Sequence, residues 1–390
     1  MKMNSNSQRG FTLLELMIAS IIGVLVMAAM TSLFRQAMNA LFTVTQRAET
    51  QENMRAAIEL MTKDISLAGA GLPSGGLQLA NTTGSSKVAC NQSDVCYVLG
   101  DIYPESGTGV ANYMYGILPG FANGVQNGSV IPNAPAATND SITSIYCDYN
   151  FPLTNFNFAF TGATQANTTL VNAAVTPNNI LAPNGLKVGD LLLFTVSSPG
   201  NGAGNQGNAL GQTAAAVGEI TGLPAPSSGP QGTIAITFSS GDVLNFNQTG
   251  ANSLASVAAA DVAGSTLTAC RLFAVTYFLE IPTAGGTVQV PRLMRQVNGL
   301  TAVPVADNII NLQFSYDVIN TQTGTINANV SNPIVAGLSP ALIQKVNIWV
   351  LGESLYTDKT RSQSMYLATS VSARNMSFCN SYSYLSTACN

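Results

Sequence analysis

The pattern of apolar and polar positions divides the chain into unequal parts. Residues 1–10 are polar and weakly basic (Lys2, Arg9) and end at Gly10. From Phe11 to Phe34 run 24 residues with one charged side chain, Glu15, and no proline. At about 1.5 Å rise per residue such a helix spans about 36 Å, enough to cross a hydrocarbon core of about 30 Å. From Arg35 onward Met38, Leu41, Val44, Ala48, Gln51, Met54, Ile58, Met61, Ile65 and Ala68 recur at threes and fours, the period of a helix with one buried face. No Pro or Gly interrupts 24–68, so the pattern predicts one helix from about Phe11 to Ala68, closed by Gly69, Gly71 and Pro73.

Beyond Gly69 the period shortens to that of strands. Runs at 142–148, 155–161, 191–197, 233–238, 267–281, 288–297, 309–319, 346–353 and 365–376 are rich in β-branched and aromatic residues. Alternation is clearest where Ile310, Leu312, Phe314 and Tyr316 interleave with Asn311, Gln313, Ser315 and Asp317, the outline of a half-buried antiparallel strand. Pro/Gly/Asn-rich stretches at 71–86, 119–139, 198–232 and 320–340 are expected as loops or insertions. Gly202 to Gly207 spells G-x-G-x-x-G, but no helix start follows, so it reads as loop.

Composition narrows the chemistry. The chain of 390 residues is only 9% charged, with net charge −4, and eleven of its charges fall in residues 1–69. The body is therefore a neutral surface, with no basic field for nucleic acid. There is no histidine, which removes imidazole-based catalysis and imidazole metal sites. No paired-carboxylate spacing or phosphate loop stands out, so neither an enzyme nor a cofactor or metal site is expected. Asn139-Asp140 lies in an Asp/Asn-rich loop without an ordered set of calcium ligands. Arg374 and Asn375 are expected at a strand end, with Arg374 pairing carbonyls or Asp317.

Glu15 needs explanation, because a carboxylate costs roughly 2.5–3.5 kcal/mol near a bilayer centre and is rarely kept without a partner. Its place makes sense if the chain is cut between Gly10 and Phe11. The new amine of Phe11 would lie one helical turn away, and the equivalent amine of a neighbouring subunit could neutralise it. A conventional signal peptide would need a small-residue cleavage site, for which Ala28-Ala29-Met30 is poor.

Gly10-Phe11-Thr12-Leu13-Leu14-Glu15 resembles the cleavage and methylation site of type IV prepilins. The resemblance implies cleavage after Gly10 by prepilin peptidase, N-methylation of Phe11 and an assembly role for Glu15. It also implies partners among other major and minor pilins, through the helix, and residence in the cytoplasmic membrane. The chain departs from the pattern in having Gly23 where pilin helices often carry a proline. Leu60 to Gly71, Lys187-Val188-Gly189-Asp190 and the succession 275–278, 293–295, 309–317, 346–350 and 371–375 resemble, in that order, PilW-type minor pilins.

Six cysteines, at 90, 96, 147, 270, 379 and 389, have no Cys-x-x-Cys spacing and fit disulfides in an oxidising compartment. Proximity favours Cys90–Cys96 and Cys379–Cys389, leaving Cys147–Cys270 as a long-range bridge, one of 15 pairings. The expected fold is α+β and pilin-like: a long N-terminal helix packed against a large antiparallel β-rich body. The expected divisions are a leader (1–10), a membrane or assembly half-helix (11–34), an amphipathic half (35–69) and the body (70–390). Within the body lie an insertion (72–266), a C-terminal sheet (267–376) and a Cys-bounded tail (377–390). The expected function is that of a minor type IV pilin at the initiation or tip of a pilus, with a type II secretion pseudopilin or a tip adhesin or DNA-uptake subunit as alternatives. The body would be periplasmic before assembly and extracellular after it.

Overall fold

The computed structural model describes residues 11–73, 75–90, 96–98, 113–122, 125–126, 139–148, 150–151, 153, 156–162, 165–170, 185–197, 212–223, 234–261, 265–281, 291–320, 323–333, 336, 338–354 and 364–376. The architecture is a long apolar helix and a large body rich in antiparallel sheet, an α+β pilin-like arrangement. Helix α1 runs Leu13–Leu67 without a break.

The first strands are short: β1 (Leu77–Gln78), β2 (Lys87–Cys90), β3 (Cys96–Val98), β4 (Tyr113–Met114), β5 (Ile117–Gly120) and β6 (Val125–Gln126). Longer ones follow as β7 (Ser141–Cys147), β8 (Phe156–Gly162), β9 (Gln165–Leu170), β10 (Leu191–Ser197), β11 (Gln212–Glu219) and β12 (Ile234–Thr237). After the short helix α2 (Leu254–Ala260) come β13 (Thr266–Glu280), β14 (Arg292–Val297), β15 (Val303–Asp307), β16 (Ile309–Ile319) and β17 (Ile326–Val330). The last two are β18 (Ile343–Glu353) and β19 (Ser364–Ser372).

β13 organises the larger, eight-stranded sheet. It pairs antiparallel with β7, β10 and β14, and in parallel with β6, while β11, β15 and β5 extend the sheet outward. A second sheet has the order β17-β16-β18-β19, and a third is β12-β9-β8. The segment 267–376, read from sequence as one C-terminal sheet, thus contributes β13–β15 to the large sheet and β16–β19 to a sheet of its own.

The helix is seated where these two sheets meet. Met54, Ala57, Met61, Ile65 and Ala68 share one core with Val275, Tyr277 and Leu293 of the large sheet and with Leu312, Phe314, Ile348 and Val371 of the four-stranded one. Gly352 on β18 allows the close approach, since a Cβ there would meet Met54 Sδ at 2.8 Å and Thr50 Cγ2 at 3.0 Å. At the helix end Gly69 takes φ +81° and its N–H donates to Ile145 O at 2.8 Å. Gly116 faces it so closely that a Cβ would meet Gly69 N at 2.5 Å, which only glycine tolerates. Asn375 Nδ2 donates to Leu67 O at 3.4 Å and so satisfies one of the last helical carbonyls.

β10 is buried on both faces. Leu191 and Leu193 enter one core with Leu272 and Phe246, while Leu192, Phe194 and Val196 enter another with Phe238 and Val257. That is why its sequence reads as a continuous apolar run instead of alternating.

All four expected loops contain strands, short in 71–86 (β1) and 119–139 (β6 and the end of β5) and longer in the other two. β11 lies inside 198–232 and pairs with β10 along its length. Its run Ala214-Ala215-Ala216 gives no strand signal, yet small residues are required beneath α2: a Cβ at Gly218 would meet Leu254 Cδ1 at 2.7 Å. β17 lies inside 320–340 as an edge strand whose Asn327 and Asn329 mask the pattern.

Cys147 and Cys270 are disulfide-bonded, tying β7 to β13 across 123 residues. Closing so long a loop stabilises by about 4–5 kcal/mol in the chain-entropy model. Reduction, or the paired change of both to Ser, is expected to lower unfolding free energy by about that amount, read by denaturant titration with and without reductant.

Glu219, at the end of β11, is buried, accepts the Leu244 N–H at 2.9 Å and lies near Asp242. Burial, reinforced by the Asp242 charge, pushes its carboxyl up to about 7 from an ordinary 4.5. The folded state thus holds this proton more tightly than the unfolded one. Its stabilising contribution is complete below about pH 4.5 and is lost as pH rises through 7. Glu219→Gln is expected to flatten the fall in stability between those values, measured as Tm against pH.

Candidate functional site

The N-terminal end is a structured helix start. Gly10 lies outside the described residues; Phe11 precedes the helix and is 88% exposed. Thr12 is the N-cap: its Oγ1 accepts the Glu15 N–H at 3.3 Å, while Glu15 Oε2 accepts the Thr12 N–H and hydroxyl, both at 3.1 Å. This reciprocal capping box satisfies orphan donors of the first turn and sets a carboxylate at the positive end of the helix dipole. Glu15 therefore has a partner within its own chain, and its oxygens keep lone pairs for a further donor.

From Leu13 to Glu49 the helix carries no buried residue. At about 1.5 Å per residue this is roughly 55 Å of uncovered helix. By length and composition its first part, as far as Phe34, is fitted to cross a membrane. Hydroxyls along it bond back to the helix's own carbonyls: Ser20 donates to Met17 O at 2.8 Å, Thr31 to Met27 O at 2.7 Å, Thr43 to Asn39 O at 2.9 Å and Thr45 to Leu41 O at 3.0 Å. Such groups enter an apolar medium without needing an outside partner. Met38, Leu41 and Val44, the first members of the helical stripe, are exposed. Thr43 and Gln46 are half-buried and full burial begins at Thr50, so the stripe's first third faces outward with the apolar half.

Where the helix does seat, the covered face is Thr50, Met54, Ala57, Met61, Asp64 and Ile65. Asp64 is the unexpected member, a carboxylate 3% exposed at a core position. Three strands converge on it. Tyr146 on β7 donates to Oδ1 at 3.0 Å, Tyr277 on β13 to Oδ2 at 2.6 Å, and Arg295 Nε on β14 to Oδ2 at 2.8 Å. Tyr277 and Arg295 are direct cross-strand partners, so sheet register alone aims both at the helix. Burial, with the Asp64 charge added, holds both phenols well above their ordinary range, so they stay protonated donors. Charge-assisted bonds of this kind are the strong ones, and they fix the rotation of the helix about its axis as apolar contacts cannot. The sequence carries no local signal for the cluster, since its members span 64 to 295; a charge inside the helical stripe is the one clue.

Other sequence-derived candidates hold the fold together. Asn139 Oδ1 accepts the Leu312 N–H at 3.0 Å, and Asp140 accepts the Ala122 and Phe314 N–H groups at 2.8 and 2.9 Å, joining this loop to β16. Asp317 is paired with Lys345 Nζ at 2.7 Å, not with Arg374, because Lys345 is its cross-strand partner. Cys90 and Cys96 occupy paired backbone positions in the β2–β3 register. Cys379 and Cys389 lie outside the described residues.

Residues 5–31 match the family described as the prokaryotic N-terminal methylation motif. No curated protein and no solved structure matches the chain. With the helix and the β-rich body, the motif supports a membrane-anchored type IV pilin or pseudopilin-like subunit, a structural component processed by prepilin peptidase.

Removing one partner of the Asp64 cluster leaves the others buried and unpaired. Asp64→Ala is expected to destabilise by about 3–5 kcal/mol. Asp64→Leu combined with Arg295→Met should recover part of that loss, a non-additivity that a double-mutant cycle by denaturant unfolding would show.

Proposed function

We propose that the chain is a minor type IV pilin of the PilW type, acting at the initiating complex or tip of a pilus. The observation that carries this reading is the division of α1. Its first 37 residues, Leu13–Glu49, hold no buried residue and are apolar as far as Phe34 apart from Glu15 and a few hydroxyls, while the rest is built into a large body. Residues 1–10 act as the leader and are removed by prepilin peptidase, and Phe11 is then methylated. The half-helix 11–34 lies in the cytoplasmic membrane with the basic leader on the inside, as the positive-inside tendency favours. The body, 70–390, stands in the periplasm and becomes extracellular on assembly.

In the growing bundle Glu15 exchanges its intrachain Thr12 contacts for a neighbour's Phe11 amine, and the apolar face passes from lipid to other pilin helices. A body of about 320 residues is too bulky to repeat at each step of a slender filament, which favours few copies at one end. The ordered motifs from Leu60 to Asn375 support the PilW type over a secretion pseudopilin.

N-terminal sequencing and intact mass of the protein from its own membranes should give a chain starting at N-methylated Phe11. A chain cut near Ala29, or still carrying Met1, overturns the pilin reading. Glu15→Val is expected to leave the protein in the membrane but largely absent from sheared filaments. Copy number in those filaments should be far below the main subunit, and equal abundance would overturn minor status.

A further inference from the structure

The outward face of the four-stranded sheet carries the chain's single tryptophan. Trp349 on β18 points away from the core and is 50% exposed. Burying an indole contributes strongly to stability, so an indole left half open on a regular strand, with room beneath it to turn inward already taken by Ile348 and Val350, is a surface kept for contact. Its cross-strand partners are Gln313 on β16 and Ala368 on β19. The small Ala368 leaves one side of the ring clear. Tyr366, 72% exposed, occupies the diagonal position on the same face, about 7–8 Å off in such a register.

Beside the indole lies a cavity of about 320 Å³, within the range of small-ligand pockets. Trp349 and the part-exposed Phe121 contribute aromatic surface to it, and Gln313, Ser315, Ser331 and Asp140 contribute polar groups. The Asp140 carboxylate is held rigidly, since each oxygen accepts one backbone N–H, from Ala122 and from Phe314. Each oxygen keeps capacity for a second donor. Ala122 sits at φ +56°, a left-handed conformation uncommon for a residue other than glycine and held in part by that bond. The surrounding face is polar and carries no uncancelled cation among its β18 residues, with Glu353 at the far end of the strand. Asn347 Nδ2 donates to Ser315 Oγ, Asp317 Oδ1 and Asn329 Oδ1 at 3.3, 3.2 and 3.1 Å, and Lys345 cancels Asp317.

These features select a ligand. A nucleic acid or anionic polymer would need unpaired cations, and the lysine on this face is already paired. An apolar helix would need a continuous greasy groove, and the amides and hydroxyls interrupt one. What fits flat aromatic surfaces bordered by amides, hydroxyls and a fixed carboxylate is a ring with apolar C–H faces and a hydroxyl rim. We propose that the β16–β18–β19 face, centred on Trp349 and the Asp140 cavity, is a binding site for neutral hexose polymers. One sugar ring stacks on Trp349 with a hydroxyl donated to Asp140, and the next reaches toward Tyr366. This inference stands on the fold of the body and not on the processing reading, so a chain found uncut at its N-terminus would leave it untouched.

The lone tryptophan makes the test direct, because all indole emission comes from this face. The full chain in a zwitterionic detergent, chosen to avoid glycoside headgroups, would be titrated with maltohexaose, cellohexaose and mannohexaose. The expected result is a saturable change in emission with at least one of them, and protection from iodide quenching at saturation. Gln313→Ala should weaken that binding several-fold while keeping the reporter. Trp349→Ala, followed by saturation-transfer NMR on the sugar, should weaken it at least tenfold with an unchanged circular dichroism spectrum. The proposal is overturned if no oligosaccharide gives a saturable change up to about 10 mM, the weak end of specific binding. It is equally overturned if the Trp349→Ala chain binds as before. Shielding from iodide that follows protein concentration instead of sugar would assign the face to a second copy, and would also overturn it.

Discussion

A single rigid rod has to satisfy two solvents, and the Asp64 cluster is where that conflict is settled. One half of α1 is apolar all round and stays bare; the other must be gripped firmly enough that the body cannot roll around it. Apolar packing alone would grip without fixing rotation, because Met54, Met61 and Ile65 can slide past other apolar surface at little cost. The fork of Arg295 and the two phenols accept only one azimuth of the carboxylate. Once that azimuth is set, the direction in which the bare face from Val24 onward points is set as well, since no Pro or Gly lies between residues 24 and 68 to decouple the two, and Gly23 is the one glycine on the way to Glu15.

Much of this was legible in the chain. The helix, its end at Ala68-Gly69 and nine of the longer strands follow from periodicity and from turn residues. The charged position in the apolar run and the Gly10-Phe11 junction marked the N-terminal motif. What the pattern hid was long-range. Asp64 reads as one more polar residue on an amphipathic helix until Tyr146, Tyr277 and Arg295 are brought to it by strand pairing. β11 reads as loop because alanines give no β signal, and only the helix α2 above it explains the small residues Ala214, Ala216 and Gly218 on that face. The division of the last hundred residues between two sheets depends on which neighbour β13 and β16 select, which no single segment specifies. The outward Trp349 was visible as a letter in an alternating strand, but its openness depends on Ala368 one strand away.

The same reasoning separates what must be kept from what can vary. Gly69, Gly116 and Gly352 are fixed by backbone or core atoms within about 3 Å. The core beneath β8, β9 and β12 shares β10 and the start of β13 but not the long helix.

That separation has a mechanical side. A pull on the exposed end of α1 enters the body through Asp64 into β7, β13 and β14, and through Thr50 and Met54 into β18. Cys147 and Cys270 fasten β7 to β13 a short distance beyond that entry point, so the two strands receiving the tension cannot be peeled from one another. The third sheet and α2 hang beside this line of force and are not crossed by it. The body is thus arranged as a clamp with a passenger: lengthening or shortening the passenger leaves the strength of the clamp where it was.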